Sequence, residues 1–177
     1  MKIIPTPNFA DFLKNKWLLL DTNVFRDISC NPTVFTEFFI SLKKAGATLA
    51  TVEAVKFELM KGSATPEKYK EKKNLVDGIV DNVLPYTPKT TISVYDLIQM
   101  FGIDGTALDL TDFILGAMLK QYGQKICLMT RDISDFIQTI FDLKHIVNVT
   151  HKNTIFTYGI YQFKETKKLE SSSDTPF

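Results

Sequence analysis

Short apolar runs alternate with longer amphipathic segments along this chain. The runs hold four to six residues each and are bounded by turn or polar residues: Trp17–Leu20, Ala47–Val52, Lys125–Thr130 and Ile146–Thr150. Runs of this length and composition predict strands, most of them buried on both faces of a sheet.

Helical periodicity marks the segments between these strands. Apolar residues recur at helical spacing in Pro32–Lys44, Glu53–Lys61 and Val94–Phe101. The segment Asp112–Tyr122 is apolar almost all round, which predicts a buried helix. Thr111 is its predicted N-cap, and Gly123 its predicted end.

This alternation predicts an α/β fold, a three-layer sandwich with a mainly parallel central sheet. We expect one domain over residues 17–163, preceded by an N-terminal extension over residues 1–16. The Ser-rich, polar residues 164–177 form a tail that we expect to be flexible. Tyr158, Tyr161 and Phe163 alternate with polar residues and predict an edge strand, with base stacking as the alternative.

Composition limits the classes of function. The chain has 177 residues, of which 45% are hydrophobic and 23% charged, as in soluble globular proteins. Its 21 Lys and Arg against 20 Asp and Glu give a net charge of +1, which argues against a polybasic nucleic-acid binder. An acidic or basic site therefore has to come from local segregation of charge.

Cysteine and histidine are scarce. Cys30 and Cys127 are too few for a disulfide framework or a four-cysteine zinc site, and we expect both to be buried free thiols. His145 and His151 alone argue against histidine-rich metal chemistry. The first residues lack a signal-peptide core, and no run approaches the roughly 18 apolar residues of a membrane span. We therefore expect a cytoplasmic protein that has no membrane partner.

Several acidic residues occur beside buried segments, where burying a charged carboxylate costs free energy. Asp21 follows one apolar strand and Asp132 follows another, so two parallel strands would bring both to the same sheet edge. Asp112 opens the most apolar helix, and Glu58 lies on the helix after the second strand. An unpaired buried charge costs several kcal/mol. A hard divalent cation, Mg²⁺ or Mn²⁺, is the simplest shared compensation.

Each acid taken alone also has an ordinary structural explanation. An Asp at a strand or helix end is often a turn or cap residue, and Glu58 alone is typical of a solvated helix face. For Asp109 and Asp135 we favour capping, with a place in the acidic site as the alternative. The joint arrangement is more informative than any single acid.

Four segments resemble the acidic motifs of PIN-domain nucleases, in the order of that family. They are Leu18–Phe25 with Asp21, Thr51–Gly62 with Glu58, Leu110–Met118 with Asp112, and Leu128–Phe136 with Asp132. The resemblance covers roughly residues 17–150, and VapC-like toxin ribonucleases are among the closest in layout.

The resemblance implies a PIN-like fold and a metal-dependent endoribonuclease that hydrolyses phosphodiester bonds of RNA. It implies that Mg²⁺ or Mn²⁺ is bound by catalytic carboxylates, with other polar residues orienting them or their waters. The implied ligands are Asp21, Glu58, Asp112 and Asp132, and the implied orienting residues are Asn23, Asp109, Thr130 and Asp135.

A toxin of this kind has an antitoxin protein as its partner and is often a homodimer. Lys56 and Arg131 lie beside the acidic motifs and are the expected contacts to nucleic acid.

Other functions remain open at this point. A non-catalytic PIN-like scaffold would bind RNA or protein without cutting, and a relative of flap nucleases would act on structured DNA. Phosphoryl transfer through an aspartyl-phosphate is disfavoured because position 23 is Asn23, where the common phosphatase pattern has an aspartate. A nucleotide-binding regulator would need a Gly-rich phosphate loop, which the sequence lacks.

Overall fold

The computed structural model describes residues 1–151 and 154–165. Within them the strands are β1 (Lys2–Pro5), β2 (Trp17–Leu20), β3 (Thr48–Val52), β4 (Asn82–Leu84), β5 (Ile126–Thr130), β6 (Phe141–His151) and β7 (Thr154–Phe163). The α-helices are α1 (Phe9–Leu13), α2 (Thr22–Cys30), α3 (Pro32–Lys44), α4 (Glu53–Met60), α5 (Pro66–Ile79), α6 (Pro88–Phe101) and α7 (Leu110–Tyr122). Short 3₁₀ turns cover Gly102–Ala107 and Gly123–Lys125.

All strands of the described residues join one mixed sheet in the order β1-β6-β7-β5-β2-β3-β4. The pairs β5–β2, β2–β3 and β3–β4 are parallel, whereas β1–β6, β6–β7 and β7–β5 are antiparallel. The α/β class is confirmed, but the prediction of a mainly parallel sheet is wrong.

The physical reason lies in the last two strands. The apolar run at residues 146–150 is part of the 11-residue strand β6, and β7 begins at Thr154, three residues after β6 ends. A connection this short leaves no room for the crossover that a parallel pair needs, so β6 and β7 pair antiparallel. The three-layer arrangement stays a prediction.

The first residues of the chain belong to the same sheet and core. Strand β1 pairs with β6, with Ile3 opposite Val149, and α1 buries Phe9 and Leu13. An N-terminal extension at residues 1–16 and a domain over residues 17–163 stay predictions. Of the predicted tail at 164–177, residues 166–177 lie outside the described residues.

The core is built around the two central parallel strands. Leu19 on β2 and Leu128 on β5 are 0% exposed, as the uninterrupted apolar runs predict. Helix α7 packs closely against this core at Gly116, where an added Cβ would lie 3.0 Å from the side chains of both Leu97 and Phe141. A side chain there would displace its neighbours.

Two smaller predictions are corrected. Cys127 is buried as expected, but Cys30 is exposed because it is the last residue of α2. Strand β7 lies between β6 and β5 and is not an edge strand, so Tyr158 and Tyr161 are both buried. Among the described residues, no helix has the length and apolar character needed to cross a membrane.

Candidate active site

Parallel pairing of the central strands brings distant parts of the chain to one sheet edge. Leu20 of β2 lies opposite Met129 of β5, so the residues that follow them, Asp21 and Thr130, emerge side by side. Strand β3 flanks β2 on the other side, and α4 follows β3 without a loop. That helix places Glu58 next to the start of α2.

A cavity of about 340 Å³ lies at this edge. Among the described residues, its ionisable lining is six acids and one base: Asp21, Glu58, Asp109, Asp112, Asp132, Asp135 and Arg26. Asn23 lines it as well. The predicted convergence of the four motif acids is therefore confirmed, while their roles as ligands and catalytic residues stay predictions.

Asp21 is the most enclosed acid of the site, at 3% exposed. It caps α2 by accepting the backbone N–H of Thr22 at 2.6 Å on Oδ1. Its other oxygen accepts the Asn23 amide and the Thr130 hydroxyl, both at 2.7 Å. The carboxylate is thus held in one orientation by three protein donors.

Burial and mutual repulsion perturb the acids of the cavity. Burial raises the pKa of Asp21 to about 6, and the carboxylates of Asp132 and Glu58 add to the rise. Burial likewise raises the pKa of Asp112 to about 7, with repulsion from Asp109 and Asp21. The acids of the lining outnumber its one arginine, and the raised pKa values show that their negative charges are costly to hold together.

Asn23 bridges two of these carboxylates. Its Nδ2 lies 2.7 Å from Asp21 Oδ2 and 3.0 Å from Asp132 Oδ2, and its Oδ1 accepts the backbone N–H of Arg131 at 3.2 Å. Thr130 completes the link, since its hydroxyl oxygen accepts the backbone N–H of Asp132 at 3.0 Å. Asn23 and Thr130 have the contacts expected of orienting residues, although that role stays a prediction.

The N-terminus of α7 places Asp112. Asp109 is the N-cap and accepts the backbone N–H groups of Thr111 at 2.7 Å and Asp112 at 3.1 Å. Asp112 Oδ2 accepts the backbone N–H of Asp109 in return, at 3.1 Å. The predicted Thr111 cap is wrong because this reciprocal pair starts the helix at Leu110, two residues earlier than predicted. Asp109 is a cap, as favoured, and it also faces the cavity.

Two residues of α2 were missed by sequence reasoning. The Thr22 hydroxyl donates to Glu58 Oε2 at 2.7 Å, and Arg26 Nη2 donates to Glu58 Oε1 at 2.9 Å. Positions 22 and 26 are one turn apart and share a helix face, which is a weak signal in the sequence. Their partner on α4 becomes visible only when the helices pack together.

No protein-family model matches the chain, and no curated protein matches it at the significance applied. A DNA-bound VapBC from Salmonella typhimurium superimposes with a TM-score of 0.53 at 17% identity, covering 68% of this chain and 90% of that chain. VapBC2 from Rickettsia felis, bound to a DNA fragment from its promoter, gives 0.51 at 16% identity, covering 66% and 89%. VapC is a PIN-domain toxin.

The chain has a PIN-domain fold. The resemblance carried by the four acidic segments is thus confirmed at the level of the fold.

The PIN-domain fold implies a divalent cation, and the donor set can be tested against it. The cavity offers carboxylate oxygens, which are the ligands that Mg²⁺ and Mn²⁺ prefer, and its excess negative charge is of the right sign. Within the described part of the chain, however, no group of three or more His, Cys, Asp or Glu side chains is arranged to hold a metal ion.

The oxygens of Asp21 and Asp112 accept backbone and side-chain donors. An ionised carboxylate has about four lone-pair sites, so these bonds leave coordination capacity. The residues fit a hard cation in chemistry and charge.

The two predicted nucleic-acid contacts, Lys56 and Arg131, lie outside the lining of the cavity. Lys56 Nζ is 3.3 Å from Asp77 Oδ1, and Arg131 Nη1 lies 2.9 and 3.0 Å from the two oxygens of Asp27. Both cations already have acidic partners, so contact with nucleic acid stays a prediction.

Proposed function

We propose that this chain is a Mg²⁺- or Mn²⁺-dependent endoribonuclease, the VapC-like toxin of a toxin–antitoxin pair. The observation that carries the proposal is the cavity in which six carboxylates face one arginine and burial raises the pKa of Asp21 and of Asp112. Holding several partly buried carboxylates close together lowers the stability of the fold unless a cation compensates them. The arrangement therefore suits a site that binds a cation.

In this proposal Asp21, Asp112 and Asp132 hold the cation, and Glu58 completes a second ion position or holds a water. The bound ion supplies Lewis acidity and an activated water for hydrolysis of a phosphodiester bond. The protein contributes pre-organisation, because Asn23 holds two of the acids at fixed separation.

Glu58 is held separately. Thr22 and Arg26 each donate to one of its oxygens, which keeps the carboxylate turned towards α2. The exposed Arg26 also provides positive charge beside the acids of the cavity, where the phosphate backbone of a substrate would approach.

The partner proposal is supported by the two solved structures, both of which are VapBC complexes. We propose RNA as the substrate, an antitoxin protein as the partner, and a homodimer as the assembly. Location in the cytoplasm belongs to the same proposal. The DNA in those structures is bound by the neighbours' complexes.

Cleavage of labelled RNA and of a DNA flap by the purified chain, with Mg²⁺, Mn²⁺ or EDTA, tests the proposal. We expect RNA cleavage that EDTA abolishes and that Asp21→Asn slows by about two orders of magnitude, the scale of losing one electrostatic group in a site. Asp11→Asn is the matched control, since Asp11 is an exposed carboxylate on α1.

Three outcomes would contradict parts of this proposal. Undiminished cleavage by Asp21→Asn removes the acidic cavity as the active site. Cleavage of the flap without cleavage of RNA changes the substrate to structured DNA. Binding of RNA without turnover in either metal makes the chain a non-catalytic PIN-like scaffold.

A further inference from the structure

A polar cluster lies beside the acidic cavity without lining it. Asp27 on α2 is 18% exposed by its side chain and receives two donors from distant parts of the chain. Arg131 Nη1 lies 2.9 and 3.0 Å from its two oxygens, and the Tyr158 hydroxyl donates to Oδ2 at 2.6 Å. Asp27 therefore ties α2 to the end of β5 and to the middle of β7.

The Tyr158 end of this cluster is rigid. Tyr158 is 0% exposed on a strand enclosed by neighbours on both sides. Burial, with the adjacent Asp27 carboxylate, raises the pKa of its hydroxyl, which therefore stays protonated and donates. The Arg131 guanidinium also lies over the Phe156 ring, 5.1 Å from its centroid. Arg131 is thus held by a charge on one side and an aromatic face on the other.

Arg131 reaches the cavity through its backbone. Its N–H donates to Asn23 Oδ1 at 3.2 Å, and an amide oxygen only accepts hydrogen bonds. This contact settles which way the Asn23 amide faces, and it turns Nδ2 towards Asp21 and Asp132. Asn23 and Asp27 are one turn apart on α2, so the carboxylate that holds the arginine and the amide that it orients share one rigid helix.

We propose that Asp27 is a positioning residue of the acidic cavity. By binding Arg131 while it is itself held by Tyr158, it fixes the Asn23 amide that bridges Asp21 and Asp132. Asp27 itself contacts neither a cation nor a substrate. The consequence for cation binding rests on the proposed function, whereas the orientation of Asn23 does not.

The first test measures Mn²⁺ affinity by electron paramagnetic resonance. Asp27→Asn keeps one oxygen for Tyr158 and removes the charge that holds Arg131. We expect affinity to fall about 10-fold, as when a group that orients a ligand is lost. The control is Asp81→Asn, because Asp81 also joins two elements: it accepts Lys43 Nζ at 2.7 Å and the Leu49 backbone N–H at 2.9 Å. Asp81 does not line the cavity, and its variant should keep parental affinity.

The second test needs no metal. The side-chain amide resonance of Asn23 is followed by ¹⁵N NMR in the metal-free protein. We expect it to move towards the position of a solvated amide in Asp27→Asn, and in the same direction but less far in Tyr158→Phe, which loses only the hydroxyl. Asp81→Asn should leave it unchanged.

An Asn23 resonance that is the same in Asp27→Asn and in the parent overturns the positioning role. So does a loss of Mn²⁺ affinity that is equal in Asp81→Asn, since that is general destabilisation. A parent protein that binds no Mn²⁺ contradicts the proposed function instead, and the NMR comparison then decides the role of Asp27 alone. If Asp27→Asn does not fold, Tyr158→Phe decides it by the same two measurements.

Discussion

Replacing Asp21 by asparagine should change the stability of the protein with a sign that depends on pH. The side chain is 3% exposed, and burial raises its pKa from 3.8 to about 6. A carboxyl group with a higher pKa in the folded state binds its proton more tightly there. Its contribution to stability is therefore fully present below about pH 4 and is lost as the pH rises through about 6.

The magnitude follows from the shift. A rise of roughly 2 pKa units at about 1.4 kcal/mol per unit makes the ionised parent about 3 kcal/mol less stable at pH 8 than at pH 4, from this group alone. Asparagine has no such penalty. It cannot accept the donors from Asn23 and Thr130 on its amide nitrogen, which costs about 1 kcal/mol for each bond at every pH.

Loss of the ionisation penalty stabilises the variant, whereas loss of the two hydrogen bonds destabilises it. Asp21→Asn should be about 2 kcal/mol less stable than the parent at pH 4 and about 1 kcal/mol more stable at pH 8. The two curves should cross between about pH 5 and pH 6, where the ionisation penalty equals the cost of the lost bonds.

Urea unfolding in EDTA at pH 4, 5, 6, 7 and 8 measures this difference. The parent, Asp21→Asn and the exposed control Asp11→Asn are compared, and the control should follow the parent throughout. A difference between Asp21→Asn and the parent that stays constant from pH 4 to pH 8 would refute a buried, mostly ionised Asp21 at neutral pH.

Three further outcomes are expected. Mn²⁺ at 100 times its Kd should stabilise the parent by about 2.7 kcal/mol, seen as a higher Tm that EDTA reverses and that Asp112→Asn lacks. Mn²⁺ affinity, by calorimetry, should rise from pH 5.5 to 7.5, because Asp21 and Asp112, with pKa values of about 6 and 7, must lose protons to bind a cation. Leu128→Ala, at a side chain that is 0% exposed, should lower the free energy of unfolding by about 2–5 kcal/mol in urea.

The position of Asp21 and Asp132 could be predicted because both depend on local features. Each follows a run of apolar residues that has to be a buried strand, and neighbouring parallel strands end at the same edge. The contacts of Glu58 could not be predicted. They depend on how α2 and α4 pack side by side, and nothing in the sequence near Glu58 names Thr22 or Arg26 as its partners.

The sheet shows the same division. The strands β2, β3 and β5 lie within a residue of their predicted bounds, because an unbroken apolar run records burial on both faces. The direction of pairing is a different matter. The apolar run at residues 146–150 has the same pattern as the other runs, yet it belongs to a long strand, β6, that pairs antiparallel with the next strand, β7. Strand β1, near the start of the chain, pairs with the other side of β6 and forms the edge of the sheet.

The sequence alone determined which segments are buried and where the acidic motifs stand on them, and its resemblance to PIN-domain nucleases implied the class of the fold. The buried segments and the positions of the acids follow from residue type and spacing over a few positions. Only the tertiary structure decided the mixed sheet, the contacts of Glu58, and the link from Asp27 through Arg131 to Asn23. The link from Asp27 to Asn23 depends on groups that are about a hundred residues apart, such as Arg131 and Asp27, and that meet only after the strands and helices have packed together.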